Sequence, residues 1–242
     1  MGLKRITLGT DLYLATASNF LPVMKKIVSQ FELETGKKVT IISGSSGRLY
    51  AQILNGSPAD LFFSANQQYT RDLEEKGIAV KGSRYVYARG RLVLLYSNVF
   101  YKTILDSHQE ITSILRNKGI DFLAIAHPGV APYGFAAMQT VDNLSLLEHL
   151  KPKLVRGESV SQAFHFVKSG QAQLGFVSLS LVVDVTENGQ EAVFFSVVPP
   201  AYHDPIEQEM VLITTKTLGA RFLTFIKSDA IRQLIRVSGY EI

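Results

Sequence analysis

The chain has 242 residues, enough for one large domain or two small ones. Hydrophobic residues make up 46% and charged residues 19%, which excludes a disordered chain. With no cysteine, it has neither a disulfide nor a Cys-ligated metal or redox centre. The formal charge of +4 comes from scattered bases such as Lys25-Lys26, Lys37-Lys38, Arg84, Arg89 and Arg91. They form no stripe interleaved with aromatics, so nucleic acid is not an expected partner, while a mildly cationic surface favours the approach of an anion.

In chain order, residues 5–15 read as a strand. Leu21, Met24, Ile27, Val28 and Phe31 then recur at helical spacing, with Pro22 in the first turn and Ser18 or Asn19 as the expected N-cap. The β-branched run 39–42 predicts a second strand, residues 61–65 a third, and 69–76 a helix. Residues 85–96 read as one long apolar strand and 111–117 as a short helix. A strand at 122–126 leads through His127-Pro128-Gly129 to a helix that starts near Pro132-Tyr133-Gly134 and runs through Phe135, Met138 and Val141. Ser159 caps another helix with Phe164 and Val167 inward. Residues 173–177 predict a strand, 193–198 and 210–213 extended segments, and 218–237 a helical tail. The longest acid-free segment, 122–141, is broken by Pro and Gly, which argues against a membrane span. No apolar leader opens the chain, though a processed exported protein would read the same way. Alternating strands and helices predict an α/β fold with mostly parallel sheets. The basic loop at 84–91 and the Pro199-Pro200 pair are the candidate crossings between domains.

The most informative turn is Ser43-Gly44-Ser45-Ser46-Gly47, between a strand and a helix. Orphan backbone N–H groups and the positive end of the helix dipole meet there, a place that attracts an anion. The competing reading is a serine that caps only its own helix. Ser18, Pro132-Tyr133-Gly134 and Ser159-Val160 mark three further strand-to-helix turns of the same kind. In open α/β sheets, ligands lie beyond the carboxyl ends of the strands.

Other chemistry finds no support. The chain lacks G-x-S-x-G, Walker and G-x-G-x-x-G patterns. His108, His127, His149, His165 and His203 are isolated from one another, and no metal-ligand spacing occurs; His165, between two phenylalanines, reads as structural. Asp60 reads as a partner for nearby backbone, and Tyr85 and Tyr87 read as core. No base stands at a recognisable spacing from any serine, so no enzyme is expected.

Ser45-Ser46, Leu49, Gln52-Ile53, Gly56, Pro58 to Phe62 and Ser64-Ala65 resemble the molybdate-binding proteins of bacterial ABC transporters. Ala15 to Ser18, Pro132 to Gly134, Val160, Leu174 to Val177 and the end at Gly239-Tyr240 are similar in the expected order. The resemblance implies a periplasmic-binding-protein fold of type II. Two α/β lobes, 1–86 with 202–242 and 87–201, would be joined by a two-segment hinge around a ligand cleft. It implies a monomer outside the cytoplasm that binds molybdate or tungstate and passes it to a membrane permease. Neither a cofactor nor a side-chain-coordinated metal is implied. Carried over, Ser18 and Ser46 each give a hydroxyl and an N–H, while Tyr133 and Val160 give N–H groups. Ser178 stands where the family often has a tyrosine donor; either the Tyr133 phenol swings in, water fills the gap, or the anion preference differs. No acidic residue at these turns reads as a ligand, so the branch that adds carboxylate ligands is not supported. Two alternatives remain open: the effector core of a transcription regulator, for which no helix-turn-helix precedes residue 5, and a binder of another oxyanion such as sulfate.

Overall fold

The computed structural model describes residues 10–104, 110–187, 189 and 193–242. The start of the expected first strand and His108 therefore lie outside the described residues. The first half of the chain forms β1 (Leu12–Ala17), α1 (Leu21–Thr35), β2 (Val39–Gly44), α2 (Ser46–Leu54), β3 (Leu61–Ser64), α3 (Gln68–Glu75) and β4 (Tyr85–Gly90). There follow β5 (Leu92–Tyr96), α4 (Asn98–Ile104), α5 (Ile111–Leu115), β6 (Leu123–Ala126), α6 (Pro132–Asn143), α7 (Leu147–Leu150), β7 (Leu154–Gly157) and α8 (Val160–Lys168). The chain ends with β8 (Leu174–Ser178), α9 (Leu179–Glu187), β9 (Phe194–Val197), β10 (Ile206–Leu212), α10 (Thr217–Ile226) and α11 (Asp229–Val237).

These strands build two five-stranded sheets on one plan, ordered β2-β1-β3-β10-β4 and β7-β6-β8-β5-β9. In each, a central strand lies parallel between two neighbours: β1 between β2 and β3, β6 between β7 and β8. The fourth strand of each order, β10 or β5, comes from the other lobe and runs antiparallel to both its neighbours. The sheets are thus mixed, not mostly parallel. The reason is geometric: a strand arriving from the other lobe enters at the carboxyl ends of the parallel strands, which face that lobe, and so runs against them. For the same reason the expected strand at 85–96 is two strands in different sheets, parted at Arg91. The change of sheet falls there and not at the 86/87 boundary drawn from sequence. The return crossing lies between β9 and β10, around Pro199-Pro200.

Alternation explains the first lobe's packing. Leu12 and Leu14, Leu61 and Phe63, Met210 and Leu212 point to one face, against α1, α10 and α11. Ala15, Phe62 and Val211 point to the other, against Leu49 and Ile53 of α2 and Leu73 of α3. Strands covered on both faces read as continuous apolar runs, which is how they stand in the sequence. In the second lobe one large cluster joins β5, β6 and β8 to α6 and α8. Phe135 is exposed; the inward face of α6 is Tyr133, Ala136, Ala137, Thr140 and Val141. The strand β7 and helices α4, α7 and α9 escaped the sequence reading, and the helical tail is two helices broken at Lys227-Ser228. No described helix is long and apolar enough to cross a membrane.

Candidate functional site

The parallel strands of both sheets end at one seam between the lobes. Three of the contacts that cross it among the described residues stand at the helix-start turns. The Gly47 N–H, in the first turn of α2, donates to the Val130 carbonyl at 2.9 Å, three residues before Tyr133. The Ser161 hydroxyl, in the first turn of α8, donates to the Ser18 carbonyl at 3.2 Å. The Arg48 guanidinium meets the Glu158 carboxylate at 2.7 Å. These contacts bring Ser18, Ser46, Val160 and the start of α6 to one place.

Ser46 is the first residue of α2 and 1% exposed. Its Oγ accepts the Ala65 N–H at 2.9 Å, which leaves its own proton to donate into the seam. Ser45 holds the N-cap position in extended conformation, yet its side chain makes no capping bond. Its Oγ is buried and has no partner among the described residues, as has Oγ1 of Thr16 near the end of β1. That argues against the reading in which Ser45 caps its own helix. A serine that served only its helix would accept an N–H from the first turn; instead the Gly47 N–H is used across the seam. A buried hydroxyl left without a hydrogen bond costs about 1–3 kcal/mol, which sets Ser45 apart from an ordinary helix cap. The sequence reading rested on Ser46 and treated Ser45 as its neighbour; the tandem hydroxyls were the available signal.

Ser18 opens a 3-10 turn, Ser18–Phe20, between β1 and α1. Neither Ser18 nor Asn19 caps α1, contrary to expectation: Phe20 holds the N-cap position, without a side-chain bond. The extra turn moves the helix start past both residues and frees their side chains. Val160 opens α8, whose cap is the expected Ser159, with Oγ accepting from the Gln162 N–H at 3.4 Å. The backbone N–H groups of Ser46, Tyr133 and Val160, all in first helical turns, have no acceptor among the described residues.

Tyr133 and Ser178 point elsewhere. The Tyr133 phenol accepts from Nε2 of Gln208 at 3.2 Å and lies so close to Gly90 that a Cβ there would strike it. The phenol is thus engaged with Gln208 beside Gly90 and does not swing into the gap. Ser178 is fully buried with its hydroxyl 3.1 Å from that of Ser180. Both belong to a polar layer behind the seam that sequence reasoning missed. Asn19 Nδ2 donates to Gln208 Oε1 and to the Tyr240 hydroxyl, each at 2.9 Å. Tyr87 donates to the same Gln208 oxygen at 3.0 Å. The hydroxyls of Ser180 and Tyr240 reach the Asn19 carbonyl at 3.0 and 2.9 Å. Burial pushes the Tyr87, Tyr133 and Tyr240 hydroxyls above the ordinary phenol range, so all three stay protonated.

The seam is electrically neutral. No Lys, Arg or His is among the described buried residues. The buried carboxylates serve the first lobe's scaffold: Asp60 accepts the Tyr13 N–H at 2.9 Å and pairs with Lys216 at 2.8 Å. Glu209 bonds Thr70 and faces Arg84. His165 is exposed on α8 and is not a core residue. Among the described residues no group of His, Asp or Glu is placed to hold a metal. An open groove of about 490 Å³ flanks α6, but it includes none of Ser18, Ser46 and Val160, and carries the carboxylates of Asp204 and Glu207. Its charge suits it poorly to an anion.

A family model described as bacterial extracellular solute-binding protein matches residues 12–241. The molybdate-binding protein ModA of Azotobacter vinelandii is 37% identical over 234 residues, covering 95% of this chain and 89% of that one. ModA of Rhodobacter capsulatus is 35% identical over 243 residues, covering 99% and 92%. The solved structure of the Azotobacter vinelandii periplasmic molybdate-binding protein superposes with a TM-score of 0.86 at 33% identity, covering 96% of this chain and 99% of that one. The chain therefore belongs to the ModA family of bacterial extracellular solute-binding proteins.

Proposed function

We propose that the chain binds molybdate or tungstate in the seam, outside the cytoplasm and as a monomer, and delivers it to the permease of an ABC transporter. The observation that carries this reading is the neutral seam itself: among the described residues, three helix starts with unused N–H groups, a buried unpartnered hydroxyl at Ser45, and no buried cation. Ser18 and Ser46 supply hydroxyls from the first lobe; Tyr133 and Val160 supply N–H groups from the second. Ser45 joins them, and Ser178 acts from the layer behind. Relatives named for molybdate binding, over 35–37% identity, support the ligand.

The energetics are sufficient. Each hydrogen bond to an ionised group contributes about 1.5–3 kcal/mol, and each helix start adds roughly 0.3–1 kcal/mol, up to ~2 when partly buried. Five or six such donors and three helix starts sum to roughly 8–24 kcal/mol, and the upper half of that range reaches the roughly 8 kcal/mol of a micromolar complex after an association cost that begins near ~4 kcal/mol. The donor set also selects. Phosphate near neutral pH carries a proton that needs an acceptor, whereas the groups this reading turns to the ligand are donors. Molybdate and tungstate carry none. Sulfate carries none either, so its rejection rests on the size of the closed gap.

Thermal melts with molybdate, tungstate, sulfate and phosphate test the proposal. At a thousandfold excess over Kd the cognate ion should stabilise the fold by about 4 kcal/mol. No shift with any oxyanion, beside a shift with an organic ligand, would refute it. Ser46→Ala should weaken binding by roughly ten- to hundredfold, since one charge-assisted bond is lost, and calorimetry reads the change. Because no buried His, Lys or Arg meets the ligand, affinity should stay flat across roughly pH 6–9, where histidine and α-amino groups titrate. A titration step in that window would place an ionising group in the site.

A further inference from the structure

We propose that Arg48 and Glu158 form a charged gate on the solvent side of the seam. Arg48 speeds capture of the anion by the open cleft; Glu158 then engages Arg48 and holds the lobes shut. This rests on the oxyanion reading and concerns how the ion enters and leaves.

The pair stands at a particular place. Arg48 lies two residues after Ser46 on α2, and Glu158 two residues before Val160, which opens α8. It therefore ties together the two helix starts, one from each lobe, that offer N–H groups to the ligand. Of the three contacts at the helix-start turns it is the outermost: the side chains are 60% and 76% exposed, whereas the Gly47–Val130 and Ser161–Ser18 bonds involve half-buried or buried residues. An exposed ion pair adds little to a static fold. At the mouth of a cleft, however, single charges act on encounter rates.

The two states differ in what the anion meets. When the lobes part, Glu158 leaves with the second lobe and Arg48 remains on α2 as a free guanidinium beside the Ser45-Ser46 turn. That cation attracts a dianion, while Glu158 repels it from the opposite lip. When the lobes meet at 2.7 Å, the two charges cancel. The bound ion is then surrounded by neutral donors alone, and Arg48, turned to Glu158, does not compete with them. The cleft can thus use a cation for capture without keeping one in the closed site. A second pair between the lobes, Lys26–Glu187 at 2.7 Å, joins the middle of α1 to the end of α9, away from both helix starts. It serves as an internal control for loss of one surface cation.

The test is rapid filtration with radiolabelled molybdate, giving association rates directly and dissociation rates by chase, at low and high salt. Arg48→Gln should slow association at least fivefold at low salt. Glu158→Gln should speed it. Both should raise the dissociation rate severalfold, and the association effects should vanish near 0.5 M salt, where screening is short-ranged. Lys26→Gln should leave association within twofold of the parent. Equal slowing by Arg48→Gln and Lys26→Gln would show a general charge effect and overturn the gate. So would a Glu158→Gln protein whose association and dissociation match the parent. A parent protein that captures no oxyanion would instead overturn the function on which the gate rests.

Discussion

Gly47→Val should abolish tight oxyanion binding while leaving both lobes folded. A Cβ at Gly47 would lie 2.8 Å from the Tyr69 hydroxyl and 3.0 Å from Cα and Cβ of Val130. The phenol is the end of a flexible side chain and can move. The Val130 backbone cannot move alone, because it belongs to the 127–131 loop that sets the start of α6: Val130 N–H and Ala131 N–H both bond the His127 carbonyl. The side chain therefore forces the lobes apart at the point where the Gly47 N–H reaches Val130. Closure fails by an ångström or more, and first-lobe and second-lobe donors no longer reach one ion together. Losing the seam bond costs about 0.5–1.5 kcal/mol, and losing one or two bonds to the ligand about 1.5–3 kcal/mol each. Affinity should fall by at least about thirtyfold. Gly47→Ala sharpens the test. Alanine is the better helix former by about 1 kcal/mol, so the ligand-free protein should be no less stable in urea, yet its affinity should still drop. Calorimetry and urea melts on the same sample read both effects. Parent-level affinity in Gly47→Ala would mean that the seam does not close as tightly around the ligand as it does here.

Much of the scaffold and the helix starts of the candidate site are legible in the sequence because they depend on local rules. Strands buried on both faces appear as unbroken apolar runs, and helix starts announce themselves by small hydroxyl residues before a 3.6-residue pattern. Ser46 and Val160 follow from that logic. The remainder depends on partners far apart in the chain. Asn19 looks like a helix cap within its own neighbourhood, but its amide is held by Gln208 and Tyr240, 189 and 221 residues away. Tyr133 looks like a donor for the cleft, but Gln208 and the missing Cβ of Gly90 draw its phenol into the hinge. The break at Arg91 is hidden for a similar reason: Tyr85 to Tyr96 is extended throughout, and only the pairing partners change, from β10 to β8 and β9. An unpartnered hydroxyl such as that of Ser45 cannot be seen at all until its surroundings are known.

That hidden layer makes the second large prediction. Gln208 is fully buried, and its amide joins the two lobes: Oε1 receives Asn19 and Tyr87 of the first lobe, and Nε2 donates to Tyr133 of the second. Gln208→Leu removes a partner from three polar groups. Tyr87 keeps the Ser64 carbonyl at 3.3 Å and the Asn19 amide keeps the Tyr240 hydroxyl at 2.9 Å, so one to two groups go short of a partner, and stability should fall by about 1–6 kcal/mol at 1–3 kcal/mol each. Gln208→Glu acts differently. A carboxylate accepts from Asn19 and Tyr87 as the amide does, and the Tyr133 hydroxyl reverses to donate, so every group keeps a partner and the fold should be largely retained. What changes is charge. A buried anion one layer behind the seam repels a dianion by about 3 kcal/mol at a separation of order 10 Å and an effective dielectric near 20, a loss of roughly a hundredfold or more in affinity. Burial raises the pKa of the new carboxyl. As pH falls through that raised value the group becomes neutral, the repulsion disappears, and affinity should recover toward that of the parent. Calorimetric titrations of parent and variant with tungstate at several pH values read this directly, since the parent's profile removes the ligand's own protonation. A Gln208→Glu protein that binds as tightly as the parent at every pH would show that the Asn19–Gln208–Tyr133 layer is electrically isolated from the seam, and that closure does not run through it.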